Sequence, residues 1–142
     1  MSRRRAREMV LRTLYKMDIK RHWTSGEIEA AEKNGEKIPE DVKIFFHKVT
    51  DGVIAHRQSI DRLIEKCSEH WKVDRMSAVD RNILRMAVFE LQHCIDVPAK
   101  VTINEAVELG KRYNSEESAS FINALLDRIA KQELNRDPEK EA

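Results

Sequence analysis

Apolar residues recur at helical spacing along nearly the whole chain. Ala6, Met9, Val10, Thr13, Leu14 and Met17 form one such set, and Val42, Phe45, Phe46, Val49 and Val53 another, continued by Ile60, Leu63, Ile64 and Cys67. Ile83, Leu84, Ala87, Val88 and Leu91 follow, then Phe121, Ile122, Leu125, Leu126 and Ile129. Each set makes one stripe of a helix, and a stripe of that kind is stable only when packed against another. Four glycines and three prolines in 142 residues, with 36% charged side chains, favour the same state over strand or disorder. The expectation is an all-α protein of about seven helices, long enough to bury a substantial core.

Local signals place the boundaries. The first helix is expected from Arg3 to His22, broken by the segment that starts at Trp23. Ser25 suits the cap of a short polar helix through Glu32, and Asn34-Gly35 suits a turn. Pro39 fits the first turn of the next helical stretch, which ends near Trp71 as one bent helix or two in sequence, with Gly52 a weak point or a close contact. Ser77 with Asp80 gives a capping-box-like start to a helix whose apolar density predicts a central, largely buried position. Asp96-Val-Pro98 stops it. Thr102-Ile-Asn-Glu105 has the form of a capping box, with Val101 and Ala106 placed as a hydrophobic staple, so a helix is expected from there to Tyr113. Asn114-Ser115 separates it from the last helix, and from Asn135 onward a polar tail is expected to fray. The organisation expected is one domain over residues 1–135, in helical halves of about 1–71 and 72–135, with 136–142 as tail.

Charge is unevenly distributed. From Arg3 to Arg21 there are eight Lys/Arg against Glu8 and Asp18, a local charge of +6 in a chain whose net charge is +1. Arg3, Arg4, Arg5 and Arg7 sit where the helix dipole is positive, so each costs up to about 1 kcal/mol. Arg3 and Arg7 repel at helical spacing, relieved only in part by Arg4 with Glu8. A cluster that local stability does not explain points to an external polyanion, most commonly a phosphate backbone. No secretory or membrane-length apolar run is present and the two cysteines form no close pair, so a reducing cytoplasm and no membrane are expected.

Enzyme signatures are missing: there is no nucleophile elbow, phosphate-cradling glycine loop, H-E-x-x-H motif or dinucleotide fingerprint. The expectation is a non-enzyme without cofactor. Cys67-x-x-His70 and His93-Cys94 offer zinc-type ligands, but adjacent helical residues point about 100 degrees apart, so buried thiols beside surface histidines are the expected reading, with no metal site. Glu105 and Glu108 are spaced as an ordinary helix turn supplies them. Tyr15 lies downstream of the arginines, and aromatic faces beside guanidinium groups hold single-stranded RNA by stacking as well as by charge. No helix-turn-helix signature favours duplex DNA.

Four blocks in order give the chain a family likeness: Arg3-Arg-Arg-Ala-Arg-Glu8 with Leu14-Tyr15; Asp80-Arg-Asn-Ile-Leu-Arg-Met-Ala-Val-Phe-Glu-Leu91; Asp96-Val-Pro-Ala-Lys-Val-Thr-Ile-Asn-Glu-Ala-Val-Glu-Leu109; and Phe121-Ile-Asn-Ala-Leu-Leu-Asp127. From Arg3 to about Ile129 the chain resembles the bacterial NusB family of transcription antitermination factors. The resemblance implies two small helical bundles at an angle. It also implies pairing with the ribosomal protein NusE, binding of single-stranded boxA RNA by the heterodimer, and work with other Nus factors in the elongation complex. The outcome implied is processive transcription of ribosomal RNA operons and ribosomal RNA maturation.

By the same resemblance, Arg3, Arg4, Arg5 and Arg7 match an arginine-rich RNA-binding motif. Tyr15 and Phe121 match aromatic positions at the RNA surface, and Asp80 and Glu117 match acidic positions on or beside it that weaken phosphate attraction. The NusE face is implied on the C-terminal bundle, and monomer and homodimer are both compatible. Two positions depart from the family pattern. Asn114 stands where glycine is usual, in a cap that Asn fills by tolerating left-handed backbone, and Ala124 replaces a glycine whose absence bears on packing near Phe121. NusB-like domains also occur fused to RNA methyltransferases, for which 142 residues leave no room. The alternative from another class is a helical interaction module whose basic pole meets an acidic protein.

Overall fold

The computed structural model describes residues 2–23, 32–33, 35–69 and 71–141. Among these residues there are five α-helices: α1 (Ser2–Lys20), α2 (Glu40–Ser68), α3 (Ala78–His93), α4 (Ala99–Tyr113) and α5 (Glu116–Glu133), with a single 3-10 turn, Val73–Arg75, between α2 and α3. Of the short polar helix expected from Ser25 and the Asn34-Gly35 turn, helical Glu32 and Lys33 and a turn at Gly35 (φ 88°, its N–H 3.1 Å from the Glu32 carbonyl) are described, and the remainder lies outside the described residues. The stretch expected as one bent helix or two in sequence is the single helix α2, bent at His56 (φ −113°, ψ 16°).

The bend follows from packing. Gly52 gives the Phe89 ring of α3 a place to rest, and a Cβ there would overlap that ring. His56 stacks over Phe89 one turn further on, and Ser59 Oγ donates to the His56 carbonyl (3.0 Å). Gly52 is thus a close helix contact.

The core is one continuous cluster to which all five helices contribute. Helix α3 lies at its centre, in contact with each of the other four, and is buried without interruption from Asn82 to Leu91. Its Ile83, Leu84, Val88 and Leu91 are fully enclosed, each worth about 1.5–3 kcal/mol relative to exposure. Helix α1 packs on α2 and α3, and α4 packs between α3 and α5.

A buried polar network ties the C-terminal end of α1 to this centre. Asp18 accepts from Asn82 Nδ2 (2.8 Å), Arg81 and Arg85, while Arg85 forks onto Asp61 of α2 (2.8 and 2.9 Å). The guanidinium of Arg85 also lies 5.4 Å over the Trp23 ring. Much of the Asp80-to-Leu91 block is therefore framework.

Three boundaries differ from expectation for tertiary reasons. Helix α1 stops at Lys20 because Arg21 takes a left-handed conformation (φ 54°), with His22 N–H on the Met17 carbonyl and Arg21 N–H on that of Asp18, a Schellman closure. Helix α4 begins at Ala99, not at Thr102: Pro98 presets the entry (φ −55°), and Thr102 is buried inside the helix with its Oγ1 unpartnered. Val101 is 44% exposed and forms no staple. The tail does not fray. Arg136 donates to the carbonyls of Leu91 and Val97 (both 2.9 Å), and Glu141 accepts from Arg136 and from Ala99 N–H (3.0 Å), so the tail itself caps α4.

Candidate nucleic-acid interface

The four arginines at the start of α1 point in different directions, as helical periodicity requires. Arg7 faces inward, 5% exposed, and forks onto Glu90 of α3 (Nη2 to Oε1 2.7 Å, Nε to both oxygens 3.1 Å), with Glu105 of α4 at 3.7 Å. Burial pushes the Glu90 carboxyl up, against the pull of Arg7. Of the four arginines matched to the RNA-binding motif, Arg7 is thus the one whose guanidinium is enclosed and paired.

Arg4 is 63% exposed in its side chain and forks onto Glu105 (Nε 3.1 Å, Nη2 2.7 Å), not onto Glu8, which pairs instead with Arg112. This fork holds the Glu105 carboxyl below its usual range despite partial burial. Arg3 lies 5.0 Å over the Phe45 ring and 3.6 Å from Asp96. Arg5 is exposed and makes no hydrogen bond or ion pair with another described residue. Acids distant in sequence thus supply part of the counter-charge that the local sequence lacks.

Beyond the arginines, α1 and α4 are bridged by long side chains: Arg4 to Glu105, Glu8 to Arg112, and Arg12 Nη2 to the Tyr113 hydroxyl (3.2 Å). Two recesses lie along this seam, and a third lies where the start of α3 meets the start of α5. The first, about 300 Å³, holds Arg4, Glu8, Glu105, Glu108, Lys111 and Arg112. The second, about 360 Å³, has Tyr15 (41% exposed), Tyr113, Leu11 and Val79 as walls, with Arg12 and Lys16 at its edge. The third, about 310 Å³, is lined by Trp71, Arg75, Asp80, Glu117, Ser118 and Phe121. From Arg4 to Tyr15 the seam runs about 16 Å at helical rise.

The structure therefore brings Asp80, Glu117 and Phe121 into one recess and Tyr15 into another. Asp80 is oriented by its surroundings. Its N–H is capped by Ser77 Oγ (3.1 Å), and its carboxylate accepts from Ser118 Oγ and Asn114 Nδ2 (3.0 Å each) instead of returning to Ser77. Asn114 does not adopt the left-handed conformation expected of it (φ −139°); its side chain holds Asp80 and its N–H closes α4 on the Gly110 carbonyl. Ala124 is exposed. Trp71, 53% exposed, and Tyr113 also line these recesses; both read from sequence only as helix ends, because periodicity says nothing of exposure beyond a boundary.

Cys67 and Cys94 are both buried, which pushes both thiols up, and His70 lies outside the described residues. Among the described residues no three His, Cys, Asp or Glu side chains gather as metal ligands, and no helix is long and apolar enough to cross a membrane.

Comparison with known proteins places this architecture. The NusB family model matches residues 4–131. The chain belongs to the NusB family. It is 47% identical over 133 residues to the transcription antitermination protein NusB of Myxococcus xanthus, covering 91% of this chain and 94% of that relative. Among solved structures it is similar to NusB of T. maritima (35% identity, TM-score 0.80, 97% of this chain and 94% of that one). It is similar as well to a chain in a crystal structure of the antitermination factors NusB and NusE in complex with double-stranded RNA (31% identity, TM-score 0.80, 92% and 96% covered). The fold is accordingly that of NusB, and the seam between α1 and α4 is part of a NusB fold.

Proposed function

We propose that this protein is a transcription antitermination factor that binds the boxA element of nascent RNA together with the ribosomal protein NusE, and so promotes processive transcription of ribosomal RNA operons. The observation that carries the reading is the exposed basic end of α1 with the Tyr15 recess on the same helix, and a further recess that gathers Asp80, Glu117 and Phe121, in a chain of the NusB family. The NusB name of its relatives and the solved complex of NusB with NusE and RNA support it.

In this reading Arg5 and the exposed ends of Arg3 and Arg4 attract phosphates, while Tyr15 and Phe121 stack on bases of a single strand. The Asp80 and Glu117 carboxylates temper phosphate attraction beside Phe121. Residues 1–71 and 72–135 act as one unit, NusE completes the RNA surface from the C-terminal half, and the role is one of binding in the cytoplasm, with no chemical step.

The test is a titration of fluorescent boxA-like RNA with and without NusE, at two salt concentrations, against scrambled single strands and a duplex of the same length. The expected result is tighter, sequence-selective binding with NusE and weak competition by duplex. Binding indifferent to sequence and NusE would reduce the site to a nonspecific basic pole. No RNA binding at all would favour the protein-interaction module.

A further inference from the structure

Arg4 is forked onto a carboxylate as Arg7 is, but with its side chain 63% exposed. Its fork is engaged at both ends by the two oxygens of one carboxylate, the arrangement a phosphate would otherwise take up. The two partners differ in freedom. Glu105 is 17% exposed in its side chain and is held from a second side by Arg7, itself anchored on Glu90, whereas Arg4 is 63% exposed. The acid is the fixed partner and the arginine the one that can swing outward.

We infer that Glu105 is an internal counter-ion that occupies Arg4 in place of a phosphate and thereby lowers the affinity of the basic pole for polyanions. It is an affinity-setting residue for the interface, and the inference rests on the RNA reading only in naming RNA as the polyanion that displaces it. A strand arriving at the pole finds Arg5 open and Arg4 closed. To engage Arg4 it must separate a pair already made, so charge alone gives weak binding and further contacts beyond the pole are needed. The neighbouring Glu108 serves as the control: it lines the same recess and its charge is felt at Arg4, but its carboxylate lies 3.7 Å from Lys111 and gives Arg4 no hydrogen-bonded fork.

The experiment compares Glu105→Gln with Glu108→Gln, which change net charge equally. Glutamine keeps the shape at 105, and Glu90 continues to hold Arg7, so melting curves should show both variants folded. On boxA-like RNA, Glu105→Gln should bind about two- to fivefold more tightly than Glu108→Gln, the factor expected for releasing one exposed pair. Its logarithmic salt slope should steepen by about 0.7 as one more phosphate contact forms. Adding Arg4→Ala should erase that gain. Heparin elution supplies a readout independent of RNA recognition, with Glu105→Gln eluting at higher salt than Glu108→Gln. Equal behaviour of the two variants on heparin, or a gain that survives Arg4→Ala, would overturn the inference. Loss of RNA binding by the unaltered protein, with the heparin difference retained, would overturn the RNA reading and leave the counter-ion role standing.

Discussion

Arg5 and Arg7 stand two positions apart on α1 and have opposite surroundings, one open to solvent and the other enclosed on Glu90. Removing one partner of a buried ion pair leaves an uncompensated charge, so Arg7→Ala should cost about 3–5 kcal/mol in denaturant unfolding. Arg5→Ala should leave stability within about 0.5 kcal/mol while weakening RNA binding and flattening its salt dependence. Equal stability losses would contradict the assignment. Tyr15→Ala should cost about 1–3 kcal/mol of RNA binding if the ring stacks, and unchanged affinity would remove it from the site. The arginine cluster was legible in the sequence, but its division was not. Glu90, Glu105 and Asp96, which divide it, lie more than eighty positions away and become neighbours only when α3 and α4 pack against α1.

At the scale of elements, helix existence followed from apolar periodicity, while several ends were set by contacts distant in sequence. The Thr102-to-Glu105 pattern fits a capping box, yet Pro98 starts the helix earlier, Glu141 of the tail takes the Ala99 N–H, and Arg4 takes Glu105. Local capping signals carry about 1 kcal/mol and yield to such arrangements. Asp18 joins the C-terminal end of α1 to α3, as Arg7 joins its N-terminal end. Burial pushes its carboxyl up, but bonds from Arg81 and Asn82 and the charge of Arg85 outweigh this and hold it below the usual range. A depressed folded-state value gives stability that is present above the unfolded value, near pH 4, and is lost as pH falls through the folded one. Thermal midpoints should therefore drop below about pH 4, and less steeply for Asp18→Asn; parallel profiles would contradict this role. Gly52→Ala tests the α2 to α3 contact. Helix propensity alone favours alanine by about 1 kcal/mol, but overlap with the Phe89 ring should make the change destabilising by about 1–3 kcal/mol, and a stabilised variant would contradict the packing.

For the whole molecule, one core centred on α3 positions the helices that carry the three recesses, so the spacing between the basic end of α1 and Tyr15 is set by helix geometry. The family resemblance in the sequence pointed to Tyr15, Asp80, Glu117 and Phe121, and the fold places the last three in one recess and Tyr15 in another; Trp71 and Tyr113 emerged only as lining residues of those recesses. The central claim, that these recesses carry boxA RNA in the presence of NusE, is tested most directly by photocrosslinking. Boxa-like RNA containing 5-bromouridine is irradiated on the protein with NusE bound, and the modified peptides are mapped by mass spectrometry. The account predicts crosslinks at Tyr15 and Phe121, lost with scrambled RNA. Crosslinks confined to the exposed side of α2 around Ile44, with Tyr15 and Phe121 unmodified, would contradict it.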